Sequence, residues 1–246
     1  MPWEIIRLSN VTPDRRTIDV YTKSGDLLGY SSFIVLIPDY QVAASILVAS
    51  DNAHDPAVDL LDIVLEKLVP AMDQVARKQA THSYASTYKS CNGSLSLIID
   101  DGPGLKIREW TSGGGSMLDT LASYAWQRPS EEMDFRLYPI GSQNRWRMVI
   151  EALDDKHYTS ISRASQVCKM WFTVDQFRYA GQPVDEFIFK LDGDGRAATV
   201  TNPGLRSTLT ENRVIKKKSK ESQSLVYSCT LLPLLFGPLY CFQVLK

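Results

Sequence analysis

The sequence predicts an α+β chain in two parts, and three observations carry the prediction. Residues 17 to 49 alternate apolar and polar side chains in short runs separated by turn residues. Residues Asp55 to Ala80 repeat apolar positions at helical spacing. After about Thr81 the pattern changes to many short alternating runs punctuated by Gly, Pro, Asn and Asp, the signature of a small antiparallel barrel or sandwich.

Three strands are expected in the first part: Thr17–Lys23, Ser31–Ile37 and Gln41–Ala49. Turns are placed at Gly25-Asp26 and Pro38-Asp39, and such short connections favour an antiparallel meander. Ser50-Asp51-Asn52 offers a helix cap. The helix that follows aligns Val58, Leu61, Leu65, Leu68, Met72 and Val75, with a kink or break expected at Pro70. The second part is expected to hold strands at 83–89, 94–99, 104–110, 133–138, 144–151, 167–174 and 185–191, with a short helix over Met117–Tyr124. The domains are placed at 1–82 and 83–209, with a tail at 210–246 outside both.

Composition narrows the function classes. Of 246 residues, 44% are hydrophobic and 22% charged, as in a folded globular protein. Lys and Arg number 27 against 28 Asp and Glu, so the chain as a whole is not expected to bind nucleic acid. Cys91, Cys168, Cys229 and Cys241 lack CxxC spacing, and His54, His82 and His157 are scattered, so neither a metal site nor another cofactor is expected. No signal peptide is expected from the N-terminal residues, while Asn10-Val11-Thr12 and Asn92-Gly93-Ser94 are acceptor sequons. Residues 225–245 are almost wholly apolar and follow a basic cluster (Arg213, Lys216, Lys217, Lys218, Lys220), the outline of a membrane anchor. Pro233, Gly237 and Pro238 fall in the middle of that run, which favours a non-native extension over an anchor.

Several motifs resolve into bland structure. Asp192 and Asp194 sit in "LDGDGR", but Pro203 stands where a calcium loop would need its glutamate, so a hairpin is expected. "TSGGGSM" lacks the Lys-Ser/Thr of a phosphate-binding loop. Trp110, Trp126, Trp146, Trp171 and Phe172 either fill a core or line a ligand pocket in the second part.

The segments "PWEIIRL", "VYTKSGDLLGYSS", "LIPDY" and "LEKLVPAMDQVARKQATHSYASTY" together resemble the closing part of fungal serine β-lactamase-like hydrolases, relatives of penicillin-binding proteins. The stretches "GSLSLIIDDGPGLKIREW" through "DEFIFKLDGDGRAATV" resemble the all-β C-terminal domain of that group, so the resemblance runs from about residue 2 to 209. It implies a partial transpeptidase-type antiparallel sheet closed by a C-terminal helix. It also implies acyl transfer through a serine ester on a small-molecule amide, ester or lactone, in a group linked to secondary-metabolite pathways and often secreted. Lys23-Ser24-Gly25 matches the family's Lys-Thr-Gly strand, with Tyr30 and Ser31 beside it as substrate-binding candidates.

The family's nucleophile comes from Ser-x-x-Lys on a helix, well upstream of the lysine strand. Only 22 residues precede Lys23 here. The one Ser-x-x-Lys, Ser86-Thr87-Tyr88-Lys89, alternates like a strand, which would put Ser86 and Lys89 on opposite faces. Ser50-Asp51-Asn52 and Ser90-Cys91-Asn92 imitate the second family motif but read as a cap and a turn, and there is no Tyr-x-Asn. The expectation is therefore the C-terminal part of a larger hydrolase without its nucleophile segment. The alternative is a non-catalytic binding module with an aromatic-lined β domain.

Overall fold

The computed structural model describes residues 2–141, 144–153 and 176–212, and the backbone of 241–245. The chain divides into two compact units, one of Met1–Ala76 with Val214–Lys246 and one of Arg77–Arg213, so the division falls inside a helix at Ala76/Arg77.

In the first unit, β1 (Glu4–Leu8), β2 (Ile18–Leu27), β3 (Tyr30–Ile37) and β4 (Val42–Ala49) form an antiparallel sheet in chain order. The three expected strands are present. β1 was not foreseen, since it is only five residues long and turns only Ile6 and Leu8 towards the core. The expected turn at Gly25-Asp26 is a misreading: Gly25 pairs with Ser32 and Asp26 with Ser31 inside the ladder. The hairpin turns instead at Leu28-Gly29, where Gly29 takes φ +78°. The backbone of Cys241–Leu245 (β16) pairs antiparallel with β4, while residues 213–240, with most of the apolar run, lie outside the described residues. No described helix is long and apolar enough to cross a membrane.

Period-2 alternation puts Ile18 and Val20 of β2, Phe33, Val35 and Ile37 of β3, and Ala44, Ile46 and Val48 of β4 on one buried face. A helix covers that face: α1 (His54–Ile63), a π-turn (Val64–Leu68) and the start of α2 (Val69–Tyr84). Ala57, Leu61, Val64, Leu65 and Val69 supply the contacts, each larger side chain worth about 1.5–3 kcal/mol of burial. Pro70 neither breaks nor ends the helix. Its missing N–H and its ring fall against the carbonyl of Glu66, where the π-turn already opens the ladder. Val75 is 53% exposed, so the expected apolar stripe ends at Met72. Ser50-Asp51-Asn52 forms no side-chain cap; Ala53 is the capping residue, and the Asn52 amide donates instead to Asp55 (2.6 Å). A polar tie joins sheet and helix, in which Arg16 donates to the Tyr40 hydroxyl (2.8 Å), which donates to the buried Asp73 (3.1 Å). Burial pushes the Tyr40 hydroxyl up to about 12.

The opposite face of the sheet has no cover among the described residues. Ile5, Ile34 and Leu47 on it are each more than half exposed.

In the second unit, eight strands close an antiparallel barrel among the described residues: β5 (Thr87–Lys89), β6 (Gly93–Ile98), β7 (Leu105–Ser112), β9 (Met133–Pro139), β10 (Arg145–Ala152), β13 (Glu186–Leu191), β14 (Ala197–Asn202) and β15 (Ser207–Glu211). The β6–β7 pairing closes the ring. The remaining short strands are β8 (Gly115–Ser116), β11 (Arg178–Tyr179) and β12 (Gln182–Pro183). The expected alternative of barrel or sandwich thus resolves to a barrel. Eight strands leave an interior that side chains fill, and Tyr88, Leu95, Leu97, Leu105, Phe135, Leu137, Ile150 and Phe187 fill it here. Helix α3 (Met117–Trp126), capped by Ser116 Oγ accepting from the Asp119 N–H (3.2 Å), adds Leu121 and Ala122 to the same core.

Strand 83–89 is shorter than expected because α2 persists to Tyr84. The hairpin at Asp192–Arg196 is as expected, with the Asp192 carboxylate accepting from the Asp194 and Arg196 N–H groups. The strand expected at 167–174 lies outside the described residues.

Candidate functional site

Lys23 lies late in β2, where register decides its neighbours. β1 begins at Glu4, directly opposite Thr22, so Glu4 shares a face with Thr22 and Ser24. Lys23 alternates to the other face, and its long side chain reaches back past the end of β1. Its ammonium donates to Glu4 Oε1 (2.8 Å) and to the Ser24 carbonyl (3.1 Å), while Ser24 Oγ donates to the same Glu4 oxygen (3.2 Å). The Lys23 hydrogen bond holds the Glu4 carboxyl below its ordinary range.

A second cluster sits at the hairpin end. Ser31 Oγ donates to Asp26 Oδ1 (2.6 Å), and His54 Nδ1 lies 3.3 Å from the same oxygen. These contacts, Ser31 first, hold the Asp26 carboxyl below its ordinary value. An open groove of about 610 Å³ runs beside this cluster, lined by Gly25, Asp26, Leu27, Tyr30, Ser32 and Leu47 among others. Tyr30 is 62% exposed there, whereas Ser31 is buried.

The five sequence-derived site residues therefore fall into two neighbouring groups. Lys23 and Ser24 gather around Glu4, while Gly25, Tyr30 and Ser31 belong to the groove. Glu4, Asp26 and His54 join these two groups without a motif of their own. Their roles depend on the register of β1 on β2 and on where α1 begins, and no local pattern encodes either.

What the arrangement can do follows from its proton acceptors. A serine nucleophile needs a base that takes its Oγ proton. Ser24 Oγ donates to Glu4 and Ser31 Oγ to Asp26, so each hydroxyl faces a carboxylate. Ser86 precedes the strand Thr87–Lys89 and lies on no helix. Lys23 places a positive charge on β2 two residues before Gly25, which lines the groove. No cluster of three or more potential metal ligands occurs among the described residues.

The tryptophans sort the same way. Trp110 packs edge-to-face on Phe187 (5.0 Å between centroids) and Trp146 on Tyr84 (5.0 Å), both inside the barrel core. Trp126 packs partly buried against it, and Trp171 and Phe172 lie outside the described residues.

The chain thus carries a helix-covered antiparallel sheet and, after it in sequence, a filled eight-strand barrel. The family described as "Beta-lactamase-like-like, C-terminal domain" matches residues 76–213, the span of the barrel unit, and the chain belongs to that family. It is 28% identical to a β-lactamase-like protein of Arthroderma benhamiae over 84% of this chain and 40% of the relative. It is 27% identical to the probable hydrolase clz13 of Cochliobolus lunatus (86% and 37%) and 26% identical to the probable hydrolase M10 of a Phoma species (85% and 38%). The chain thus spans about two fifths of the length of the curated relatives it matches. No solved structure gives a significant match.

Proposed function

We propose that this chain is the closing part of a serine β-lactamase-like hydrolase or acyltransferase, supplying the lysine strand of an acyl site whose nucleophile comes from a segment outside this sequence. The observation that carries the reading is the Lys23-Ser24-Gly25 strand, which stands beside an open groove, with Ser24 hydrogen-bonded to Glu4 and Ser86 on no helix. Two relatives bear the name probable hydrolase and extend well beyond the matched region. In such a site the Lys23 ammonium stabilises negative charge on a carboxylate or a developing oxyanion. Gly25 lets a substrate backbone approach β2 closely. The substrate class is a small amide, ester or lactone, and tailoring of a secondary metabolite is the role that the family resemblance suggests. The unit holding β1–β4 would then be a partial transpeptidase-type sheet.

The test is acylation of the purified chain by a fluorescent penicillin and by an activated ester, read by intact mass. No adduct is expected. A stable adduct on Ser24, Ser31 or Ser86, lost on the matching Ser→Ala change, would make this chain a complete enzyme and overturn the proposal. The second reading, a binding module with an aromatic-lined barrel, is weakened by Trp110 and Trp146 lying in the core.

A further inference from the structure

We infer that Glu4 is a built-in occupant of the anion position formed by Lys23 and Ser24, so that an incoming carboxylate or similar oxyanion must displace it. The inference rests on the reading of Lys23 as the electrostatic arm of an acyl site.

Glu4 Oε1 alone accepts from both Lys23 Nζ (2.8 Å) and Ser24 Oγ (3.2 Å). Two convergent donors on one oxygen are what an external carboxylate would need to bind there. Strand register does not force this contact. Register sets Glu4 opposite Thr22 and diagonal to Ser24, on one face. Lys23 belongs to the other face and must bend past the end of β1 to reach it. The contact is therefore selected by charge rather than imposed by neighbourhood.

The pair is also of the kind that can be exchanged. The Glu4 and Lys23 side chains are 48% and 33% exposed, and pairs this open to water hold weakly. The nearby Asp26 lies on the face of β2 opposite to Lys23, where Ser31 and His54 engage its Oδ1. The Lys23 bond holds the Glu4 carboxyl below its ordinary range. Displacement changes one partner for another and moves no proton: Glu4 swings into solvent, and the incoming anion takes the bonds from Lys23 and Ser24.

The experiment uses the full chain and benzenesulfonate, an anion that does not titrate near neutrality. Binding is followed through the backbone amide shifts of Lys23 and Ser24. Glu4→Gln should tighten binding roughly two- to five-fold, the span of an exposed ion pair. Glu4→Asp should also tighten it, because the charge is kept but the arm is one methylene too short to hold both donors. Lys23→Met should abolish it in every background. Thermal unfolding of each variant checks that the sheet is intact.

If Glu4→Asp binds like the parent chain, or Glu4→Gln binds no more tightly, occupancy is wrong while the lysine reading stands. If the parent chain and both Glu4 variants all fail to bind, the inference and the lysine's anion role fall together.

Discussion

Asp100→Asn should weaken the barrel unit at neutral pH and leave it unchanged in strong acid. Arg136 points outward from β9 yet is only 6% exposed, because the loop between β6 and β7 folds over it. Its guanidinium donates to both Asp100 oxygens (2.8 Å each), to the Pro103 carbonyl (3.0 Å) and to Asp134. Gly102 lies so close to the guanidinium that a Cβ there would collide with it. Arg77 donates to the Asp100 and Gly102 carbonyls of the same loop (2.7 and 3.2 Å).

The Arg136 hydrogen bonds hold the Asp100 carboxyl at about 2, against an ordinary 3.8. At about 1.4 kcal/mol per pK unit, that difference is worth at most about 2.5 kcal/mol. Asp100 is 30% exposed, so screening by water lowers the expected loss to about 1–2 kcal/mol. An acid whose pKa falls on folding contributes stability above its unfolded value, and that stability fades as pH drops through the folded value. The parent chain should therefore be more stable than Asp100→Asn at pH 7, with the gap closing between about pH 4 and pH 2. Urea unfolding of both proteins at pH 7, 4 and 2.5 reads this directly. A gap that persists unchanged at the lowest pH, or no gap at pH 7, would refute the clamp.

Two further outcomes follow from the two units. Ile34→Lys and Leu47→Lys, on the uncovered sheet face, should lower self-association in sedimentation velocity while moving the melting temperature little; Val35→Lys, on the buried face, should unfold the first unit. Residues 77–213 expressed alone should unfold cooperatively by calorimetry, because the compact unit and the family match share that span; a broad, non-cooperative transition would contradict its independence.

Much of this fold can be read from local pattern. Alternation over β3 and β4 and the repeat from Ala57 to Met72 mark elements whose apolar faces are large and regular. Short or half-polar elements escape such reading. β1 turns only Ile6 and Leu8 inward, and β15 is a run of Thr and Ser around a single buried Leu209. Gly25-Asp26 looked like a turn because glycine and aspartate favour turns. The Ser31 hydroxyl across the strand satisfies Asp26 and keeps both residues in the ladder. The lysine strand was visible as a motif. Its partner Glu4 was not, because the contact needs both the pairing of β1 on β2 and a bend of the Lys23 side chain past the strand end.

The most direct test of the central claim is reconstitution of the acyl site. The purified chain would be mixed with the part of the Arthroderma benhamiae relative that lies upstream of the matched region, then incubated with a fluorescent penicillin or an activated ester. Intact mass would be read on both polypeptides. An acyl adduct on a serine of the upstream part is expected. That adduct should appear only when both parts are present, and it should be lost when this chain carries Lys23→Met. An adduct that forms on the upstream part alone, or one that survives Lys23→Met undiminished, would contradict the claim that this chain supplies the lysine of the site.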